Sequence, residues 1–368
     1  MKRFALVLAV CLICCFCAVG FTACSQSNSE NNKEVVNEDD QNKEKVDNNS
    51  ENNNSVNNSG NENNNESVVL KPTSNEYFTF TLLDNDTYEI KAKDVNNMPA
   101  EVIIPANYNG KAVAGIGSSA FEDCSSLTSI TIGENSKLKS IGEKAFIRCS
   151  SLTSVTIGSS VTNIGDYAFA RCSSLTSVTI GSSVTSIGYY AFIYCSSLTS
   201  ITIPDSVTSI GGFVFGVFRS AFENCSSLTS INVDENNEYY KSIDGNLYSK
   251  DGTTLIQYAI GKTATEFTIP DSVTSIGSYA FYGCSSLTSI TIPNSITSIG
   301  YAAIYGLNSL TTVYYKGTAE EWDNISSIAL SNYGLTNATR YYYSETAPTS
   351  TGNYWHYGAD GITPVVWE

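Results

Sequence analysis

The stretch Ser150-Ser-Leu-Thr-Ser-Val-Thr-Ile157 decides the fold, because it returns almost unchanged along the chain. It reappears as residues 173–180 and again as residues 196–203, so successive copies start 23 residues apart. A constant period of this length is typical of proteins built from stacked coils. A single coil exposes an apolar face that it cannot bury alone, and neighbouring coils cover it. We therefore expect a solenoid.

The first half of each coil predicts a β-strand. In one copy, Leu175, Val178 and Ile180 follow the pattern L-x-x-[IV]-x-[IV]. Successive side chains of a strand point to opposite faces, so Val178 and Ile180 should point inward. Ser177 and Thr179 should then face outward. Strands from successive coils predict a parallel β-sheet on one face of the solenoid.

The second half of each coil has the apolar spacing of a helix. Gly188 permits a tight corner after the strand. The apolar residues that follow recur at i, i+4, i+5 and i+8, and they are Ile187, Ala191, Phe192 and Cys195. The sequence therefore predicts an α/β repeat solenoid of about 23 residues per coil, with short helical segments on the face opposite the sheet.

The repeats resemble those of the BspA-like leucine-rich repeat proteins of bacterial surfaces. The resemblance covers about residues 102 to 316, where the recurring pattern is S-S-L-T-S-[IV]-T-I-P-x-S-V-T-S-I-G-x-x-A-F-x-x-C. The resemblance implies a leucine-rich repeat fold and a surface protein that binds or adheres. Residues 316–322 and the segment after residue 338 resemble the tails of the same family.

Two coils are enlarged. Residues 211–220 lengthen one of them, and residues 236–263 insert an aromatic, turn-rich segment into another. Asp244-Gly245 and Asp251-Gly252 are turn signals, which predict a β-hairpin that protrudes from the stack near residues 236–263.

Both ends of the stack need caps. Thr318 and Glu321 have the spacing of a helix capping box, so a short helix should begin there and close the core. The predicted organisation is an N-terminal cap at residues 71–101, the solenoid at 102–310, a C-terminal cap at 311–343 and an aromatic tail at 344–368.

The N-terminus has the layout of an export signal. Lys2 and Arg3 precede an apolar run that ends at Phe21-Thr-Ala-Cys24, which resembles a lipobox. We predict a lipoprotein signal peptide at residues 1–23, with Cys24 as the lipid-attachment residue. The alternative is a plain secreted protein with an incidental thiol. Residues 24–70 are rich in Asn, Glu and Ser and predict a disordered tether. The expected location is the outer face of a bacterial cell envelope.

The net charge is −16. Binding to nucleic acid or to anionic lipid depends on Lys and Arg, so we expect no nucleic-acid partner. Contact with a membrane is expected only through the N-terminal lipid, and the protein is expected to be a monomer.

Six cysteines recur at one position per coil. Leu307 takes the equivalent place in a later coil, which indicates a buried apolar position. We interpret the cysteines as unpaired core thiols, with stacked disulfides or metal binding as alternatives. They are Cys124, Cys149, Cys172, Cys195, Cys225 and Cys284.

The residue inventory argues against catalysis. His356 is the single histidine, so a zinc site or a serine–histidine pair within the repeats has no histidine to use. Paired carboxylates such as Glu320 and Glu321 are interpreted as solvated. We expect no enzyme activity, no metal and no cofactor.

The outward side chains are the candidate ligand contacts, with an extracellular or host protein as the expected partner. They comprise strand hydroxyls and insertion aromatics: Ser154, Thr156, Ser177, Thr179, Ser200, Thr202, Tyr239, Tyr240, Tyr248 and Tyr258. A second hypothesis is glycan binding, with sugars stacked on Tyr354, Trp355, Tyr357 and Trp367. A third is a passive structural spacer.

Overall fold

The computed structural model describes residues 71–133, 135–214, 217–326 and 331–368. They belong to one compact unit, Ser67–Glu368. The predictions for the signal peptide, Cys24 and the tether lie outside the described residues. The unit is a β-solenoid of about 11 turns with roughly 23 residues per turn.

Most coils contain two short strands joined by turns. The first part of the unit contains β1 (Phe78–Leu82), β2 (Tyr88–Ala92), β3 (Glu101–Ile103), β4 (Asn107–Tyr108), β5 (Lys111–Ile116), β6 (Ser129–Ile132), β7 (Ser140–Ile141), β8 (Ser154–Ile157), β9 (Asn163–Ile164), β10 (Ser177–Thr179), β11 (Ser186–Ile187), β12 (Ser200–Ile203) and β13 (Ser209–Ile210). Single turns of 3-10 helix lie at Asn75–Tyr77 and Val95–Asn97.

The second part contains β14 (Gly212–Val214), β15 (Val217–Arg219), β16 (Ser230–Val233), β17 (Tyr240–Ile243), β18 (Asn246–Ser249), β19 (Thr254–Gln257), β20 (Glu266–Thr268), β21 (Ser275–Ile276), β22 (Ser289–Ile292), β23 (Ser298–Ile299), β24 (Thr312–Tyr315), β25 (Thr339–Tyr343), β26 (Tyr354–Tyr357) and β27 (Pro364–Val366). Its α-helices are α1 (Ala319–Asp323) and α2 (Tyr333–Asn337).

One strand from each coil contributes to the first parallel face of the solenoid, as predicted. Strands β3, β6, β8 and β10 pair in that order, β12 pairs with β16, and β20, β22, β24 and β25 continue the pattern. Equivalent residues are in register, for example Ser177 with Ser154 and Thr179 with Thr156. The other strands of these coils, β5, β7, β9, β11 and β13, form a second parallel sheet.

Equivalent apolar side chains form columns in the core. Five phenylalanine rings stack nearly parallel, with centroids of successive rings 5.0 to 5.8 Å apart. They are Phe121, Phe146, Phe169, Phe192 and Phe222, and each is completely buried. The ring spacing is close to the spacing of neighbouring strands, about 4.8 Å. Strand register therefore also sets the stacking of the core, and each buried phenylalanine contributes about 2 kcal/mol.

The prediction of helical segments opposite the sheet was wrong for the described repeats. Ile187 ends the short strand β11, and turns follow it. Tyr190 and Tyr194 have φ angles of 57° and 60°, in the left-handed region that interrupts an α-helix. The N–H of Phe169 donates to the Ala191 carbonyl of the next coil at 2.7 Å. Hydrogen bonds between coils therefore replace those of a helix, while the same side chains still reach the core.

The insertion forms the predicted hairpin, but the hairpin packs against the solenoid and does not protrude. Strands β17 and β18 pair antiparallel around Asp244 and Gly245, whose φ angles are 50° and 72°. The N–H of Ile231 donates to the Gly245 carbonyl at 2.8 Å, which ties the turn to the neighbouring strand β16. Strand β19 continues the antiparallel meander and then pairs in parallel with β21, so the insertion joins β21 and β23 in a separate five-stranded sheet. In the other enlarged coil, β14 pairs antiparallel with β15.

Both ends of the stack are covered. At the N-terminal end, β1 pairs antiparallel with β2, which pairs in parallel with β5. At the other end, Thr318 and Glu321 form the predicted capping box of α1, and Trp322 of this helix is buried. None of the helices in the described part has the length and apolar character needed to cross a membrane.

Candidate functional site

The predicted hydroxyl ladder lies on the outer face of the first sheet. Thr156, Ser177, Thr179, Ser200 and Thr202 are exposed, and Ser154 is half-buried. Ser and Thr alternate with the buried Val and Ile of the same strands, as the sequence pattern requires. These side chains form a flat, uncharged surface.

The insertion tyrosines separate into two groups. Tyr239 is 51% exposed, and Tyr240 is half-buried with its hydroxyl accepting a hydrogen bond from the Ile210 N–H at 3.2 Å. Tyr248 and Tyr258 are buried, so these two side chains cannot contact a ligand as predicted. The Tyr258 ring packs against Phe281 in the core, with ring centroids 5.4 Å apart. A side chain that is buried in the core cannot contact a binding partner.

The aromatic tail is also packed against the solenoid. Trp355 is completely buried, and its Nε1 donates to the Tyr315 carbonyl at 2.9 Å. Trp367 donates to the Ser344 carbonyl at 2.9 Å and stacks near His356. The tail therefore closes the end of the sheet, and Trp355 offers no face on which a sugar could stack.

All six repeat cysteines are free and buried. Each of four thiols donates to the phenylalanine carbonyl of an earlier coil, as Cys172 does to Phe146 at 3.2 Å. Burial raises the pKa of Cys172 and of Cys225 to about 12. These thiols are therefore protonated and weakly nucleophilic at neutral pH. Among the described residues, no group of three or more metal-binding side chains comes together.

The structure reveals a different candidate site on the turn side of the solenoid. Most repeats carry the motif G-x-x-A-F-x-x-C on this side; its Ala, Phe and Cys are buried, whereas the four variable positions range from buried to exposed. In several coils these positions carry tyrosine. Six of these tyrosines line a cleft of about 310 Å³, which we call the tyrosine cleft. They are Tyr190, Tyr194, Tyr279, Tyr282, Tyr301 and Tyr305.

The cleft exists because one coil lacks its outer turn. The coil that carries the insertion replaces the whole G-x-x-A-F-x-x-C segment by the short sequence Gln257-Tyr258-Ala259-Ile260-Gly261. The N–H of Gly261 already donates to the Leu228 carbonyl at 2.8 Å, so the chain has returned to the first face. The turns on both sides of this short coil therefore project beyond it and form the walls of the cleft.

The missing turn leaves backbone donors without their usual partner. In a complete coil, the Tyr190 N–H donates to the Ser220 carbonyl of the next coil at 3.1 Å. One coil further, the Ser220 N–H donates instead to Glu223 Oε1 at 3.3 Å. The Phe222 N–H donates to the Ser220 hydroxyl at 3.2 Å. The side chains of Glu223 and Ser220 thus accept the hydrogen bonds that backbone carbonyls of the next coil accept elsewhere. This role explains why the Glu223 carboxyl group is buried here.

Glu223 and Arg219 are the charged residues that line the cleft. Glu223 is only 3% exposed. Burial raises the pKa of Glu223 to about 7, although the nearby Arg219 acts to lower it. The Arg219 guanidinium lies over the Tyr279 ring at 4.0 Å and 5.9 Å from the centroid of Tyr190. It therefore bridges the two walls by cation–π contacts.

Tyr279 and Tyr282 keep their hydroxyl protons at neutral pH. Burial raises the pKa of Tyr279 to about 12 and also raises that of Tyr282. Tyr282 and Tyr305 stack with centroids 5.8 Å apart and an angle of 8° between their planes. Tyr194 and Tyr305 remain 44% and 45% exposed. The cleft therefore combines accessible rings with hydroxyl donors.

The tyrosine cleft is not among the sites predicted from the sequence, although the sequence carries a signal for it. Comparison of the repeats with one another shows that the four positions around Ala-Phe vary while their neighbours do not. Tyrosine recurs there from Tyr167 to Tyr305. The helical interpretation of this segment gave these positions no role, and the predicted contacts lie on the sheet, the insertion and the tail instead.

The parallel sheets, apolar columns and surface cleft define a leucine-rich repeat solenoid. A family model described as BspA type leucine rich repeat region matches residues 103–218 and 256–342 in six copies. The chain belongs to this family. Its members are usually cell-surface proteins, and this fold is typically non-catalytic.

The chain is also similar to solved structures. The pneumococcal vaccine antigen PcpA is 23% identical with a TM-score of 0.50, and the match covers 64% of this chain and 70% of PcpA. A leucine-rich repeat protein from Eubacterium ventriosum is 25% identical with a TM-score of 0.49, over 73% and 77% of the two chains. A leucine rich cell surface protein from Faecalibacterium prausnitzii is 25% identical with a TM-score of 0.43, over 70% and 98%. Curated protein sequences give no match.

Proposed function

We propose that this chain is a non-catalytic binding module of the bacterial cell surface that recognises an extracellular protein through its repeats. The strongest support is the difference between the repeated and the variable positions of the coils. The repeated apolar positions are buried and preserve the stack, whereas variable turn positions of several coils place tyrosines and Arg219 around a cleft. Tyrosine and arginine dominate the binding energy of many protein interfaces.

The non-catalytic part of the proposal rests on the chemistry of the described side chains. The repeat thiols are buried and protonated, and the strand hydroxyls have no histidine beside them. His356 stacks near Trp367 in the cap, with Nδ1 2.7 Å from the Tyr357 carbonyl. These groups are placed for packing, and none is paired as a nucleophile and base.

Attachment to the cell envelope is proposed from the N-terminal sequence. Cys24 follows an apolar run and a small residue, as in lipoproteins. Metabolic labelling with a radioactive fatty acid, in the wild-type chain and in Cys24→Ala, tests this separately from ligand binding. Label that persists in Cys24→Ala would contradict the proposed attachment site.

The binding proposal is tested with the full chain against immobilised extracellular-matrix proteins. A turn-side variant, Tyr194→Ala with Tyr305→Ala, should weaken saturable binding by about tenfold, since two exposed aromatic contacts are removed. A sheet-side variant, Thr156→Lys with Thr179→Lys, reports on the hydroxyl ladder. Loss of binding only in the sheet-side variant would place the contact on the sheet. Absence of saturable binding to any matrix protein would favour the spacer hypothesis.

A further inference from the structure

We propose that the tyrosine cleft is a saccharide-binding site that takes a neutral glycan. This inference rests on the proposed binding function and names the chemistry of the ligand at one site. The volume of about 310 Å³ is at the lower end of ligand sites in proteins. It suits one or two sugar units at the end or edge of a longer chain, because the rim tyrosines stay accessible.

The charges in the cleft favour an uncharged ligand. Glu223 and Arg219 are the charged partners of opposite sign in its lining, and Arg219 lowers the pKa of Glu223. A cation approaching Glu223 would meet Arg219, which already occupies the face of Tyr279. An anion would meet a chain with a net charge of −16. A neutral ligand avoids both penalties.

The polar groups of the cleft match sugar hydroxyls. Arg219 supplies donors, the Glu223 carboxylate supplies acceptors, and the Asn224 amide supplies both. The Tyr279 and Tyr282 hydroxyls retain their protons and can donate as well. A purely apolar ligand would leave these groups unpaired, which costs about 1–3 kcal/mol for each buried group.

The aromatic groups match the other face of a sugar. Tyr194 and Tyr305 present rings at the rim, and the stacked pair Tyr282 and Tyr305 forms a fixed wall. Tyrosine rings carry both an apolar face and a polar hydroxyl, so they can cover the C–H surface of a pyranose and still reach its hydroxyls. The absence of a turn in one coil thus creates a site with both recognition elements.

The test uses the full chain on an array that carries neutral, sialylated and sulfated oligosaccharides. We expect binding to neutral oligosaccharides, followed by titration calorimetry with the strongest of them. Tyr194→Ala and Tyr305→Ala should each weaken that binding by about tenfold. Both residues are exposed, so the thermal unfolding temperature should be unchanged and should exclude a folding defect. Tyr239→Ala is the matched control, because Tyr239 is 51% exposed and lies outside the cleft lining.

Other outcomes overturn the inference in distinguishable ways. Binding restricted to sialylated or sulfated glycans would contradict the charge argument, and equal loss in Tyr239→Ala would contradict the location. Matrix proteins are also assayed before and after enzymatic removal of their glycans. Unchanged binding after deglycosylation, with no signal on the array, would refute the saccharide site and leave the proposed protein recognition intact. No binding in either assay would refute both.

Discussion

Glu223 should make the solenoid less stable as the pH rises from about 4.5 to 8. Its usual pKa is 4.5, and burial raises it to about 7 in the folded protein. Between these values the folded state holds a proton that the unfolded state has lost, so stability falls with increasing pH. The difference between the two pKa values corresponds to about 3 kcal/mol over the whole interval.

The groups that act on Glu223 set this shift. Loss of solvent raises its pKa most, while Arg219 and the hydrogen bond from the Ser220 N–H lower it. The substitution Glu223→Gln keeps the size and an acceptor oxygen but cannot ionise. We therefore expect the wild-type protein to lose about 3 kcal/mol between pH 4.5 and 8 relative to Glu223→Gln.

Urea unfolding of both proteins at several pH values between 4.5 and 8 measures the effect. Burial also raises the pKa of Asp166, but this residue is present in both proteins and cancels in the comparison. Glu238→Gln is the control, since Glu238 is exposed and its loss should leave the pH profile unchanged. Parallel stability profiles for wild type and Glu223→Gln would refute the assignment of a buried, destabilising carboxylate.

Three further predictions test the packing of the repeats and the C-terminal cap. Gly181→Ala should destabilise the protein by about 2 kcal/mol in urea unfolding, because the added Cβ would lie 2.4 Å from the Gly158 carbonyl oxygen. Gly133→Ala, at the equivalent position with nothing within 4 Å, should change stability by less than about 0.5 kcal/mol, and equal effects would contradict the packing. The six repeat cysteines should resist iodoacetamide in the native protein and react after unfolding, as followed by mass spectrometry of their peptides; native labelling would show that they are not buried. Thr318→Ala should lower stability by about 1 kcal/mol through loss of the capping box, and an unchanged thermal unfolding temperature would contradict its role.

The repeat sequence was sufficient to predict the stack, its sheet and much of its core. Alternation in Ser177, Val178 and Thr179 fixed which strand residues face outward, and the structure has this orientation. The spacing of Ala191 and Phe192 predicts a helix, but two successive turns bring the same positions to the core. Backbone hydrogen bonds to the next coil stabilise those turns, and a single-coil pattern cannot show them.

The sequence by itself determined that identical apolar residues return at a constant interval, and stacking is the arrangement that buries them all. It also determined the capping box, because that motif involves residues only three apart. Only the tertiary structure decided that Tyr258 packs in the core against Phe281 and that its coil omits the outer turn. The cleft with Glu223 follows from that omission, since it brings together side chains more than 100 residues apart, from Tyr190 to Tyr305. Local sequence patterns specify the coil, whereas contacts between coils create the site.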